Sequence, residues 1–249
     1  LEGWYLPEKD TDGNVVIDEE TQMVKLATKW NFETMRVNSD MTLYARLLRV
    51  PTMTFVDIVT GEEVKRENGT PEMSKERPSS VAAPEKDGYT LYEYYTNADG
   101  SETFGWPYVF GTEDVTVYVK FIEGTWYIAK TEEQFSAGLS SNENIYLDCD
   151  LNFTGKTWRY AGFNGKINGN GHTIKGITVT RNCNKYTLGA GIFGTLGAKA
   201  NIYNLIIKDA TVNFNVKLDN GEFMGGFFAY EAKEGAQISN VKIVNGTLN

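Results

Sequence analysis

Apolar and polar residues alternate with a period of two along most of this 249-residue chain, and the alternation comes in short bursts. In the second half the bursts are TWYIAK (125–130), IYLDCDLNF (145–153), HTIKGITVT (172–180), NIYNLIIKDATV (201–212) and QISNVKIVNGTL (237–248). Such spacing predicts strands with one buried face, separated by Gly- and Asn-rich corners. One stretch breaks the period. TEEQFSAGL (131–139) sets Phe135 and Leu139 one helical turn apart, and Thr131 with Gln134 forms a capping box. A short helix is predicted there, covering the open end of the strands that follow.

The bursts also repeat. GIFGTL leading to IYNLIIKDATV returns as GFFAY leading to ISNVKIVNGTL, so that Phe193 answers Phe228 and Asn204 answers Asn240, steps of 35 and 36. A weaker copy runs from Phe163 through HTIKGITVT, with Gly176 at the asparagine position and His172 at the place of Ala200 and Ala236. Self-similarity at this period, carried by strands, predicts a solenoid of stacked coils. Asn204 and Asn240 are expected at corners, where stacked amides satisfy one another and the bent backbone. Gly191, Gly194, Gly225 and Gly226 are expected at bends or close approaches.

The first 123 residues are a different kind of chain. They hold all six prolines, eight of the 25 glycines, and 23 acids against 12 bases, a net of −11; residues 124–249 carry 10 acids against 12 bases, a net of +2. Here Trp4-Tyr5 lies over Tyr94-Tyr95, and Asp40-x-Thr42-x-Tyr44-x-Arg46 over Asp114-x-Thr116-x-Tyr118-x-Lys120. That is a second, independent tandem repeat of half-buried strands, with Asp-Gly turns at 12–13 and 99–100. MTFVDIVTGEEV (53–64) opens the second copy with a hairpin, and the first copy begins at its GWY without one. The Pro-rich stretch 67–84 is expected to be a surface loop.

GWY, a DG turn and D-x-T-L-Y-A-[KR] resemble the Listeria–Bacteroides repeat, a B-repeat type of bacterial cell-surface proteins. G-x-F-G-x-L, I-x-N-L-x-[IV] and [DN]-[AG]-T-[VL], from 163 to 248, resemble the GLUG-motif repeats of secreted right-handed parallel β-helices. Together the resemblances imply an all-β chain: two small β-grasp-like tandem repeats, then a parallel β-helix fragment with an N-terminal capping helix. The expected boundaries are 1–49 for a partial repeat, 50–123 for a complete one, and 124–249 for the β-helix, truncated at its C-terminus. The implied setting is extracellular or on a bacterial cell surface, in a protein longer than this chain at both ends. The implied role is spacing and display, for adhesion or ligand binding, with a glycan or a host or extracellular protein as partner.

Candidate chemistry is sparse. The net charge of −9 offers no clustered bases for phosphate, which excludes a nucleic-acid partner. No run of 18 apolar residues is present to span a membrane. Glu8, Asp10, Asp12, Gly13 and Glu19 follow the order of a calcium loop, but Pro7 and Val15-Val16-Ile17 deny it flanking helices. A plain acidic hairpin is expected, and no metal or cofactor. Cys149 reads as a small buried hydrophobe, and Cys183 lies in a loop. His172 has no triad around it. The rival reading is a polysaccharide lyase or glycoside hydrolase using Asp148 and Asp150, outward on one strand about 7 Å apart; a bare structural stalk is the third. For binding, the candidates are Tyr146, Asp148, Asp150 and Tyr203, with Trp158 and Tyr160 as further aromatics. No catalytic residue is assigned.

Overall fold

The computed structural model describes residues 1–47, 49–79, 81–158, 162–183, 189–216 and 224–249. Among the described residues the chain is all β with one short helix, and it divides into two compact units: 1–84 with 93–120, and 85–92 with 121–249.

The first unit begins with β1 (Gly3–Pro7), β2 (Leu26–Lys29) and β3 (Tyr44–Arg46), an antiparallel sheet in the order β2-β1-β3. It continues with β4 (Thr52–Asp57), β5 (Glu63–Asn68), β6 (Ser74–Lys75), β7 (Tyr89–Tyr95), β8 (Tyr108–Val109) and β9 (Val115–Glu123). The main sheet has the order β5-β4-β9-β7, with β4 and β9 parallel at its centre, from Met53 opposite Val115 to Asp57 opposite Val119. Counted within the copy, the order is second-first-fourth-third, a β-grasp-like arrangement without a helix. Alternation dictates what it buries: Met53, Phe55, Val117 and Val119 point to the core with Tyr94 and Phe104. At the β4–β5 turn buried Asp57 accepts the Val59 N–H at 2.8 Å, and Gly61 takes the positive φ of 73° that the turn requires. The stretch 67–84 is not all loop, since β6 pairs with β8.

The second unit is a stack of parallel strands. They are β10 (Tyr127–Ala129), β11 (Ile145–Leu147), β12 (Leu151–Asn152), β13 (Lys166–Asn168), β14 (Thr173–Lys175), β15 (Thr178–Cys183), β16 (Gly189–Ala190), β17 (Phe193–Leu196), β18 (Asn201–Lys208), β19 (Thr211–Val216), β20 (Met224–Gly225), β21 (Ala229–Ala232), β22 (Gln237–Val244) and β23 (Thr247–Leu248). β10, β11, β13, β18 and β22 pair in that order, all parallel. β15, β19 and β23 form a second parallel row, and β16–β20 and β17–β21 further parallel pairs. The chain therefore coils, and like residues stack. Ile145, Ile167, Ile202 and Ile238 form one inward ladder, and Leu151, Ile174, Ile207 and Ile243 another. Each fully buried rung contributes about 1.5–3 kcal/mol relative to exposure. The last rungs, Ile238 and Ile243, are exposed.

The helix α1 (Glu132–Ser141) joins β10 to β11. Thr131 caps it as expected, its Oγ accepting the Gln134 N–H at 3.2 Å, but the Gln134 side chain reaches back to the Lys130 N–H, one residue before the cap. Phe135 and Leu139 enter the coil core, where Phe135 packs on Phe153 and Trp158.

The structure moves the weaker repeat along by five residues. Thr173 stands opposite Ile206 and Lys175 opposite Lys208, so Gly176 follows onto Asp209, not onto Asn204. His172 falls beside Leu205, not at the alanine corner of Ala200 and Ala236. Phe193 pairs with Ala229, a step of 36, while its ring still meets Phe228 at 5.1 Å. Cys183 ends strand β15 and is not in a loop. The corner asparagines are stacked: Asn204 and Asn240 both hold left-handed φ (53° and 49°), and Asn240 Nδ2 donates to Asn204 Oδ1 at 2.7 Å. A second corner repeats the device, with Asn245 Nδ2 donating to Asp209 Oδ1 at 3.0 Å. Of the four glycines expected at bends, Gly191 and Gly226 lie where an added Cβ would meet the Ala229 backbone, and none of the four takes a positive φ.

Candidate binding surface

Tyr146 sits between buried Ile145 and Leu147, so its side chain leaves the core on the outer face of the coils. Pairing carries that position along the stack as Ile128, Tyr146, Asn168, Tyr203 and Ser239, one residue per coil. Neighbouring strands lie about 4.8 Å apart, which puts Tyr146 and Tyr203 about 10 Å from each other along the axis. The row is thus an aromatic, an amide, an aromatic and a hydroxyl.

Two more aromatics frame Tyr146. Its ring meets Tyr92 at 5.9 Å and 75° and Trp126 at 5.9 Å and 69°, both edge-on. Trp126 is fixed by its indole N–H on the Glu123 carbonyl at 2.7 Å and by its backbone N–H on the Thr90 hydroxyl at 2.9 Å. Burial raises the pKa of the Tyr146 phenol, and burial together with Tyr146 raises that of Tyr203. Both phenols are therefore neutral at physiological pH, able to donate as well as accept.

The two candidate carboxylates hold different partners. β11 ends at Leu147, and the chain bends before β12 starts at Leu151, which breaks the straight alternation on which a shared face depends. Asp148, with its side chain 17% exposed, accepts the Tyr92 hydroxyl and lies 3.4 Å from the Lys130 ammonium. Asp150, at 71%, accepts the Thr173 N–H at 2.8 Å and touches His172 Nδ1 at 3.3 Å. Burial pushes the Asp148 carboxyl upward, and the His172 charge opposes this. Asp148 thus serves the aromatic frame, and Asp150 ties one coil to the next. Inverting hydrolysis needs an acid and a base facing one reacting atom, and these two carboxylates are committed to different partners.

Trp158 is buried, its indole N–H donating to the Ile192 carbonyl at 2.7 Å, and Tyr160 lies outside the described residues. Cys149 is a free, half-buried thiol whose Sγ donates to the Lys130 carbonyl at 3.1 Å. Burial and the nearby Asp148, Glu132 and Asp150 raise its pKa, away from a reactive thiolate. In the acidic hairpin Asp10 Oδ1 accepts the Asp12 and Asn14 N–H groups at 2.9 and 2.8 Å, and the Asn14 bond leads in lowering its pKa. Among the described residues no group of three His, Cys, Asp or Glu is placed to hold a metal ion, and no helix is long and apolar enough to cross a membrane.

The parallel β4–β9 pair and its flanking strands fall within a family match. Residues 52–120 match the Listeria-Bacteroides repeat domain family. A 54-residue stretch is also 44% identical to halomucin of Haloquadratum walsbyi. That stretch is 21% of this chain and rounds to 0% of halomucin, far below two thirds of its length. No solved structure matches the chain.

Trp126 and Tyr92 escaped the sequence reading. Tyr92 belongs by pattern to the GYTLYEYY strand of the first part, 54 residues before Tyr146, and only the fold brings the rings together. Trp126 adjoins Tyr127 outside the repeats, so periodicity gave it no weight.

Proposed function

We propose that this chain is a segment of a bacterial extracellular or cell-surface protein, in which repeats at 1–49 and 50–123 act as spacers and the coils of 124–249 present a binding surface. The family match at 52–120 carries the surface setting. The coil register supports the binding surface, because it lines Tyr146, Asn168, Tyr203 and Ser239 along one open outer face. Neutral aromatic rings beside amide and hydroxyl groups suit a polyhydroxylated ligand, which stacks its C–H faces on the rings and hydrogen-bonds at its edges. The ligand class favoured is an extended glycan lying along the coil axis, and adhesion is the role. The GLUG-type assignment of the coils is part of this proposal.

The coils are not read as an enzyme, since Asp148 and Asp150 hold separate partners. Glycan-array binding by the full chain tests the proposal: Tyr146→Ala and Tyr203→Ala should each weaken binding about tenfold or more, with unchanged thermal unfolding. Silence across the array, or binding by both variants as strong as that of the parent chain, would remove it. Cleavage of uronic-acid polymers that is abolished by Asp148→Asn would put the hydrolase or lyase in its place.

A further inference from the structure

A second row of outward side chains runs beside the aromatic one. Two residues before Asn168, Tyr203 and Ser239 stand Lys166, Asn201 and Gln237. The residues between, Ile167, Ile202 and Ile238, are rungs of the inward ladder, so each flanking pair faces outward together. Asn201 lies opposite Lys166 on one side and Gln237 on the other, so this row also advances one residue per coil. On the coil of Tyr146 the matching residue is Asn144, whose amide is committed within the fold. It donates to the Thr125 carbonyl at 3.2 Å and accepts the Lys166 N–H at 3.1 Å.

Lys166 alone among these positions carries a charge, and it stands on the coil between the two tyrosines. Its side chain is exposed, and among the described residues no carboxylate takes its ammonium. Asp148, two residues beyond Tyr146, is already answered by Lys130 at 3.4 Å and by the Tyr92 hydroxyl. Along the axis the order is therefore aromatic, amide with free cation, aromatic. Residues 124–249 carry a net of +2 where the first 123 carry −11, so the coils rather than the leading repeats suit an anion.

We infer that this face takes a linear β-linked glycan with a carboxylate on every second sugar, an assignment that rests on the glycan-binding reading above. An extended β-linked chain advances by close to one interstrand spacing, about 4.8 Å, per sugar, so three consecutive sugars span three coils. The outer two stack their C–H faces on Tyr146 and Tyr203, about 10 Å apart. The middle one lies at the coil of Asn168 and Lys166. There the amide meets its hydroxyls, and the ammonium takes its carboxylate in a charge-assisted hydrogen bond. A neutral chain leaves Lys166 unanswered. A chain with an acid on every sugar brings carboxylates to the electron-rich faces of both rings.

Titration calorimetry of the full chain with two trisaccharides tests this. One is N-acetylglucosamine–glucuronate–N-acetylglucosamine, cut from hyaluronan; the other is the neutral trimer of N-acetylglucosamine. The acidic trimer should bind about tenfold more tightly. Lys166→Gln should abolish that preference and leave the neutral trimer's affinity and the thermal unfolding unchanged. Added salt should weaken the acidic trimer alone. Removing one terminal sugar from the acidic trimer should cost about tenfold in the parent chain, and Tyr203→Ala should erase that step. Equal affinity for the two trimers, or an acidic preference that survives Lys166→Gln, overturns the inference and leaves the aromatic-row reading standing. Failure of both trimers while other glycans bind on an array does the same, and failure of every glycan removes the two together.

Discussion

Asn204 and Asn240 each do two things at once. Their backbones take a left-handed turn that few residues tolerate, and their side chains join across coils at 2.7 Å. Asn204→Ala loses both and should destabilise the second unit by about 1–3 kcal/mol, whereas Asn204→Gly keeps the turn and should cost less; urea unfolding of both variants checks the order. Glu132 is a second such residue. The Lys156 ammonium and the Asn152 N–H hold its carboxyl down, from 4.5 to about 2. A depressed folded value means stability that is present above the ordinary carboxylate range and lost as pH falls toward about 2. Glu132→Gln should therefore lower stability at pH 7 by about 1–3 kcal/mol and flatten the loss on acidification below pH 4.5. Parallel denaturation curves for the two proteins at every pH would contradict this.

At the scale of elements, helix α1 and the two-period strands were legible because each states its own rule: a cap with apolar residues one turn apart, or alternation between polar corners. Phe135 shows what that helix contributes, buried with Phe153 and Trp158 around it. Phe135→Ala should cost about 3–5 kcal/mol, read as a lowered unfolding midpoint. Register was less legible, for a reason visible in NIYNLIIKDATV. One coil carries two corners with the same grammar: Ile202 and Leu205 around Asn204, then Ile207 and Ala210 around Asp209. HTIKGITVT fits either, and two additional residues between Asn168 and Thr173 tip it to the second. Asp148 and Asp150 take different partners for a related cause, since alternation holds only while a strand is straight and here it bends after Leu147.

For the molecule as a whole, repeats told the class of architecture, and what lay outside repeats was silent. The outer row was half visible: Tyr146 and Tyr203 as aromatics on strands, but Tyr92 and Trp126 only through the fold. Everything proposed for that row depends on strands of successive coils lying parallel and in step, with Asn201 opposite Gln237. Adjacent strands about 4.8 Å apart lie within the about 4.4–6.8 Å reach of a disulfide, while a pair one step off, two residues along, is about 8 Å apart and outside it. The direct measurement is cross-linking in a background with Cys149 and Cys183 replaced by serine. Asn201→Cys with Gln237→Cys should close rapidly and raise the unfolding temperature, and Asn201→Cys with Ser239→Cys should stay reduced. Rapid closure of the second pair and not the first would contradict the register, and with it the surface.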